Sequence, residues 1–120
     1  MKKIFTILLL VFSLSAGATK YYIATTGTDG AGVDGSIGTP WLTLSYACTR
    51  ATTAGDTIMV GVGTFTETAQ SVLAVGVSIV GDGDTSIISS TFVGGLTEGT
   101  IQLSSATEGT DGNQSISNIK

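Results

Sequence analysis

The chain contains no histidine. A Ser-His-Asp triad and imidazole acid–base chemistry are therefore excluded within these residues. Cysteine occurs once, at Cys48. One thiol can form neither an internal disulfide nor, without histidine, a zinc ligand set. Cys48 reads as a small buried apolar residue, because only Arg50 lies near it in sequence to activate a thiol. Proline is also single, at Pro40, and charged residues make up only 12% of the chain. Cations are the scarcer sign, five against nine acids, for a net charge of −4. Two of the five, Lys2 and Lys3, sit at the amino end. Beyond them only Lys20, Arg50 and Lys120 oppose all nine acids. Such a chain offers nothing to offset phosphate charge, so nucleic acid and anionic lipid are not expected partners. The glycine clusters lack the Gly-Lys-Ser/Thr ending of a phosphate-binding loop.

The amino end has its own composition. Lys2 and Lys3 precede an apolar run, Ile4–Leu14, which ends at the small residues Ser15-Ala16-Gly17-Ala18. This is the layout of a secretory signal peptide over residues 1–18, with cleavage after Ala18 or close to it. The run is too short for a stable membrane span. Secretion or display at a bacterial cell surface is the expected destination. Residues 19–120 then form one domain by length.

Glycine is abundant, 17 in 120 residues, about twice the usual ~7%, and all but Gly17 lie in this remainder. Together with many Thr and Ser it favours bends and extended strands. Lys20–Thr25 reads as a first strand. Thr26–Thr39 reads as a loop with turn pairs at Asp29-Gly30 and Asp34-Gly35. A calcium loop is the alternative there, and two acids are too few ligands for it. After Pro40, Thr43 is placed to N-cap one helix, expected from Leu44 to about Thr53. Leu44, Ala47, Cys48 and Ala51 give it one apolar stripe. Trp41 is expected to pack beside the helix, with an aromatic platform for carbohydrate as the other reading.

Three β-branched runs follow, Thr57–Val60, Val77–Val80 and Ser86–Ser89, each stopped by Gly or Asp, and each reads as a strand. Thr100–Ser104 and Ser115–Lys120 continue the pattern. Ile58 to Ile101 and Ile79 to Ile116 are similar intervals, which suggests that those residues stack. A rival spacing stacks Ile58, Ile79 and Ile101 in succession. Gly81 and Asn118 are expected at sharp bends.

GDTIMVGVGTFTET followed by VSIVGDGDTSII resembles the opening of the right-handed parallel β-helix proteins, the pectin-lyase-like superfamily. The likeness extends from about Lys20 to Ser89 and takes in the Pro40-Trp41 pair, the short helix and a Gly-Thr-aromatic turn. It implies an all-β fold: the first rungs of a right-handed parallel β-helix, or solenoid, with one short amino-terminal capping α-helix. The rest of its own β-helix would then be its structural neighbour, and the 120 residues would be an amino-terminal fragment, poorly soluble or only partly folded alone.

The same resemblance implies an exported carbohydrate-active protein, degrading or binding polysaccharide. The alternative is a non-catalytic, adhesin-like surface protein. If it is an enzyme, a polysaccharide lyase or glycoside hydrolase is implied, with its active site beyond residue 120. Calcium would enter only in the full-length protein. Within the chain no catalytic, cofactor-binding or metal-binding residue is named. Asp82 and Asp84 stand two apart and could offer paired acids for sugar hydrolysis or a cation, but GDGD reads as a bend between strands. Glu67, Glu98, Glu108 and Asp111 are expected in solvated loops, and Asn113-Gln114-Ser115 matches a glycosylation sequon by chance.

Overall fold

A computed structural model describes residues 17–95, 98–107 and 110–120. The expected signal segment therefore lies almost wholly outside the described residues, as does Glu108. The elements are β1 (Lys20–Ile23), α1 (Leu44–Arg50), β2 (Thr57–Val60), β3 (Gly63–Glu67), β4 (Ser71–Leu73), β5 (Ser78–Gly81), a single 3₁₀ turn (Gly83–Thr85), β6 (Ser86–Ser90), β7 (Ile101–Leu103) and β8 (Ser115–Ser117).

The strands gather into three small parallel sheets. One has four strands in the order β1-β2-β5-β8; the others are the pairs β3-β6 and β4-β7. The expected all-β solenoid is corrected on this point. Strands of three to five residues form separate sheets, two of which stop at two strands, and a helix fills part of the core. The fold is a small mixture of short parallel sheets and one helix, and no β-helix is assigned.

Side-chain alternation explains the core. In β2 the pattern of exposure alternates, with Ile58 and Val60 buried and Thr57 and Met59 half-buried, as one pleat face demands. In-register pairing aligns Tyr21, Ile58, Ile79 and Ile116. The anticipated stacking of Ile79 with Ile116 is thus present, but Ile58 stacks on Ile79. Ile101 pairs instead with Ser71, because β3 and β4 intervene where a turn was expected. The alternation there is broken by polar residues pointing inward: Glu67 and Ser71 are both fully buried.

Helix α1 is short because its sequence favours helix weakly, and packing holds it. Thr43 is the N-cap, and its Oγ1 accepts from Tyr46 N at 3.2 Å. Leu44, Ala47, Cys48 and Ala51 join Ile23, Ile58, Leu73 and Ile79 in one core. Ala51 caps the helix, which ends three residues before the expected Thr53. Of the two expected bends, Asn118 adopts φ 55°, a left-handed conformation. Gly81 is required for another reason: a Cβ there would collide with the Asn118 carbonyl oxygen.

Candidate functional site

The outer edge of β1 is where chain-distant polar and aromatic groups converge. Tyr22 N donates to Gly35 O, Trp41 N to Tyr22 O and Ala24 N to Trp41 O, at 2.7–3.0 Å. The loop 26–41 is thereby laid along the strand. Two aspartates fix its shape. Asp29 accepts from Leu42 N (2.8 Å), Thr43 N (3.2 Å) and Thr43 Oγ1 (2.7 Å), tying the loop to the start of α1. Asp34 accepts from Ser36 N at 2.9 Å and from the Thr39 hydroxyl, closing a tight turn. The hydroxyl of Thr39 and then the Ser36 amide hold the Asp34 carboxyl at about 2, below its ordinary 3.8.

Trp41 is the hub of this region. It is 3% exposed, and its Nε1 donates to Val33 O at 3.0 Å. Tyr21 stacks on it with centroids 5.1 Å apart, and Tyr46 meets it edge-on at 5.7 Å. Gly35 sits at φ 74°, and a Cβ there would come within 2.8 Å of the indole, so only glycine lets the loop close over the ring. With its ring enclosed, Trp41 is a core residue and not a platform. The aromatic surface that remains open belongs to Tyr21 and Tyr46, both half-buried. Arg50 lies 5.1 Å from the Tyr46 ring centroid and donates to the Tyr46 hydroxyl at 2.9 Å.

Tyr21, Tyr46 and Arg50 line an open cleft of about 390 Å³ together with Gly32, Val33 and Asp34. An aromatic face, a guanidinium and an ionised carboxylate in one cleft can stack a ring and bond hydroxyl groups. The cleft holds one carboxylate, so it does not provide the acid pair that glycoside hydrolysis uses.

Of the other acids, Glu67 departs from the expected solvated loop, while Asp82 and Asp84 keep the expected bend between strands. Glu67 is not solvated: it is fully buried in β3 and accepts from Leu44 N (2.7 Å) and Ser45 N (2.9 Å) at the start of α1. Asp56 is 2% exposed and accepts from Thr19 N (3.0 Å) and Thr53 N (3.1 Å). Asp82 and Asp84 are exposed at the 3₁₀ turn, where the Ser86 hydroxyl shapes the bend by accepting from Asp82 N. Asp29 and Asp34 do not converge on a common point, and among the described residues no group of three or more His, Cys, Asp or Glu could hold a metal ion. Cys48 is buried and unpaired. Burial, and then the charge of Glu67, push its thiol up to about 12.

No helix among the described residues is long and apolar enough to cross a membrane. Comparison with protein-family models, with curated proteins and with solved structures found no match, so no family is assigned to the chain.

Proposed function

We propose that this is an exported protein that binds polysaccharide, with the cleft between α1 and the loop 26–41 as its binding site. The observation that carries the reading is the open cleft whose lining brings Tyr21, Tyr46 and Arg50 together with Asp34. A pyranose presents an apolar C–H face and a rim of hydroxyls. The tyrosines supply a face to stack on, at low entropic cost for two-torsion side chains. Arg50 donates to ring or hydroxyl oxygens, and the Asp34 carboxylate accepts from hydroxyls. Export rests on the basic, apolar and small-residue segments of residues 1–18.

Titration calorimetry of the exported chain against neutral and uronic-acid hexasaccharides tests this. At least one class should bind, and Tyr46→Ala or Arg50→Ala should weaken it about tenfold or more. Binding by none of them, or binding that both variants leave unchanged, would refute the assignment. A second reading, a non-catalytic structural protein of the cell surface, is favoured by a different feature. The outer face of the four-stranded sheet carries a polar file, Thr57, Ser78 and Ser115, in which Ser115 Oγ and Ser78 Oγ are 2.9 Å apart. Such hydroxyl files give a regular, unreactive surface.

A further inference from the structure

Asp56 presents a problem that the binding site does not solve. Asp56 is 2% exposed, yet among the described residues its carboxylate has two backbone amides as partners and no cation. One oxygen accepts from Thr53 N at 3.1 Å and the other from Thr19 N at 3.0 Å. A buried carboxylate is costly unless paired. None of the three cations beyond residue 18 is its partner: Arg50 is engaged with Tyr46, and neither Lys20 nor Lys120 bonds to it among the described residues.

The nitrogen that Asp56 holds is the one that follows Ala18. Ala16-Gly17-Ala18 has the small-x-small form that export peptidases cut after, and Gly17, Ala18 and Thr19 are all exposed. We propose that the Ala18–Thr19 bond is the processing site, and that hydrolysis there creates the missing cation. Water adds across the peptide bond; Ala18 departs as a carboxylate, and Thr19 N takes up protons to become an ammonium group. That nitrogen is already 3.0 Å from Asp56 Oδ1, and Thr19 O is held in place by Thr57 N at 2.9 Å. Cleavage thus turns an amide-to-carboxylate hydrogen bond into an ion pair without moving the chain. Asp56 also orders the turn 53–56, where Asp56 N donates to Thr53 O at 3.0 Å and Gly55 sits at φ 97°. The new amino terminus is therefore locked to the turn that leads into β2. Processing and folding are coupled: the exported form gains an interaction that the precursor lacks.

This inference rests on the export reading, but its test separates the two. Intact-mass measurement of chain secreted from a bacterial host should find Thr19 first. Thermal unfolding is then compared for the free-amine chain, the same chain acetylated at Thr19, and both forms carrying Asp56→Asn. Acetylation should lower Tm by about 5 °C or more in the parent. In the Asp56→Asn background it should change Tm little, because the partner charge is gone. Secretion with a first residue other than Thr19 would overturn the processing site while leaving export intact. Retention of the uncleaved chain in the cell would remove export itself. A Tm drop on acetylation that is equal in both backgrounds would show that the ammonium does not pair with Asp56.

Discussion

At the amino-terminal side of the four-stranded sheet, the outward backbone groups of Tyr22 are taken by Gly35 and Trp41. At the far side, β8 has no strand beyond it among the described residues, and Ile116, which continues the file of Ile58 and Ile79, is 40% exposed. The same contrast appears in the β4-β7 pair: Leu73 is fully buried, while its register partner Leu103 is 54% exposed. The sequence at these paired positions is equally apolar. Burial therefore depends on what the chain lays over each edge. The amino-terminal side recruits a twenty-residue segment with two hydrogen-bonded aspartates and an indole hub, and the other side presents bare strands without a charged residue in β7 or β8. Uncharged open edges are ready to pair with another strand.

The largest effect separating the two sides is expected at Glu67. Its carboxylate is the acceptor for two amides at the start of α1, Leu44 N and Ser45 N. Glu67→Ala leaves the buried Leu44 amide and the part-buried Ser45 amide without their acceptor and should cost about 3 kcal/mol or more in urea unfolding. Glu67→Gln keeps one acceptor and should cost roughly half as much. If Glu67→Ala proved neutral, α1 would not be held through this contact, and the closed side would owe little to its carboxylates.

A matched pair of truncations sharpens the comparison. Leu44→Ala, at a fully buried position, should destabilise by roughly 2–4 kcal/mol. Leu103→Ala, at a half-exposed one, should cost below about 1 kcal/mol. Equal losses in chemical denaturation would mean that the β7 side is covered in solution by something else.

These residues also mark what the sequence made legible. Strand β2 was readable to the residue, since TIMV is a short β-rich apolar run bounded by Asp56 and Gly61. The apolar stripe of α1 and the enclosed Cys48 were readable as well. Strands β3 and β4 were not, because Glu67 and Ser71 occupy inward positions and break the alternation on which such a reading depends. Their omission shifted the register, so Ile101 was matched with Ile58 instead of Ser71. The solenoid expectation came from resemblance of motif order, and local order does not fix how many strands each sheet contains. The cleft was illegible for a further reason. Tyr21, Asp34 and Tyr46 share no period; the loop hydrogen bonds along β1 bring them together. Trp41 is open to a platform reading in sequence, and only the fold, which packs Tyr21 and Gly35 against it and leaves it 3% exposed, shows that its ring is enclosed.

A smaller effect, in reactivity more than stability, is expected at Cys48. With its thiol raised to about 12 by burial and the nearby Glu67 charge, roughly one thiol in ten thousand is ionised at pH 8. A disulfide reagent such as dithionitrobenzoate should leave the folded chain untouched over minutes and titrate one thiol after unfolding. Rapid reaction in the folded state would show that α1 opens readily, and that the closed side is closed only on average.

The smallest effect belongs to Asp34, which lies on the solvent side of the same loop. Its folded value of about 2 is below the ordinary 3.8, so what it adds to stability is present above the unfolded value and lost as pH falls through the folded one. The window is therefore between about pH 4 and pH 2, and solvent screening keeps the contribution modest because the group is fully exposed. The carboxyl carbon resonance of Asp34 should titrate near 2 in the folded chain. Thr39→Val removes the leading hydrogen-bond donor and should move the midpoint back toward 3.8. Because Thr39 also donates its amide to Ser36 O at 3.1 Å, the turn itself should survive that change, and the aromatic ring-current shifts around Trp41 should stay where they are. A midpoint that remains near 2 in Thr39→Val would place the depression elsewhere in the turn. A midpoint already near 3.8 in the parent chain would mean that the loop samples open states at acid pH, and that the edge of β1 is protected less firmly than its hydrogen bonds suggest.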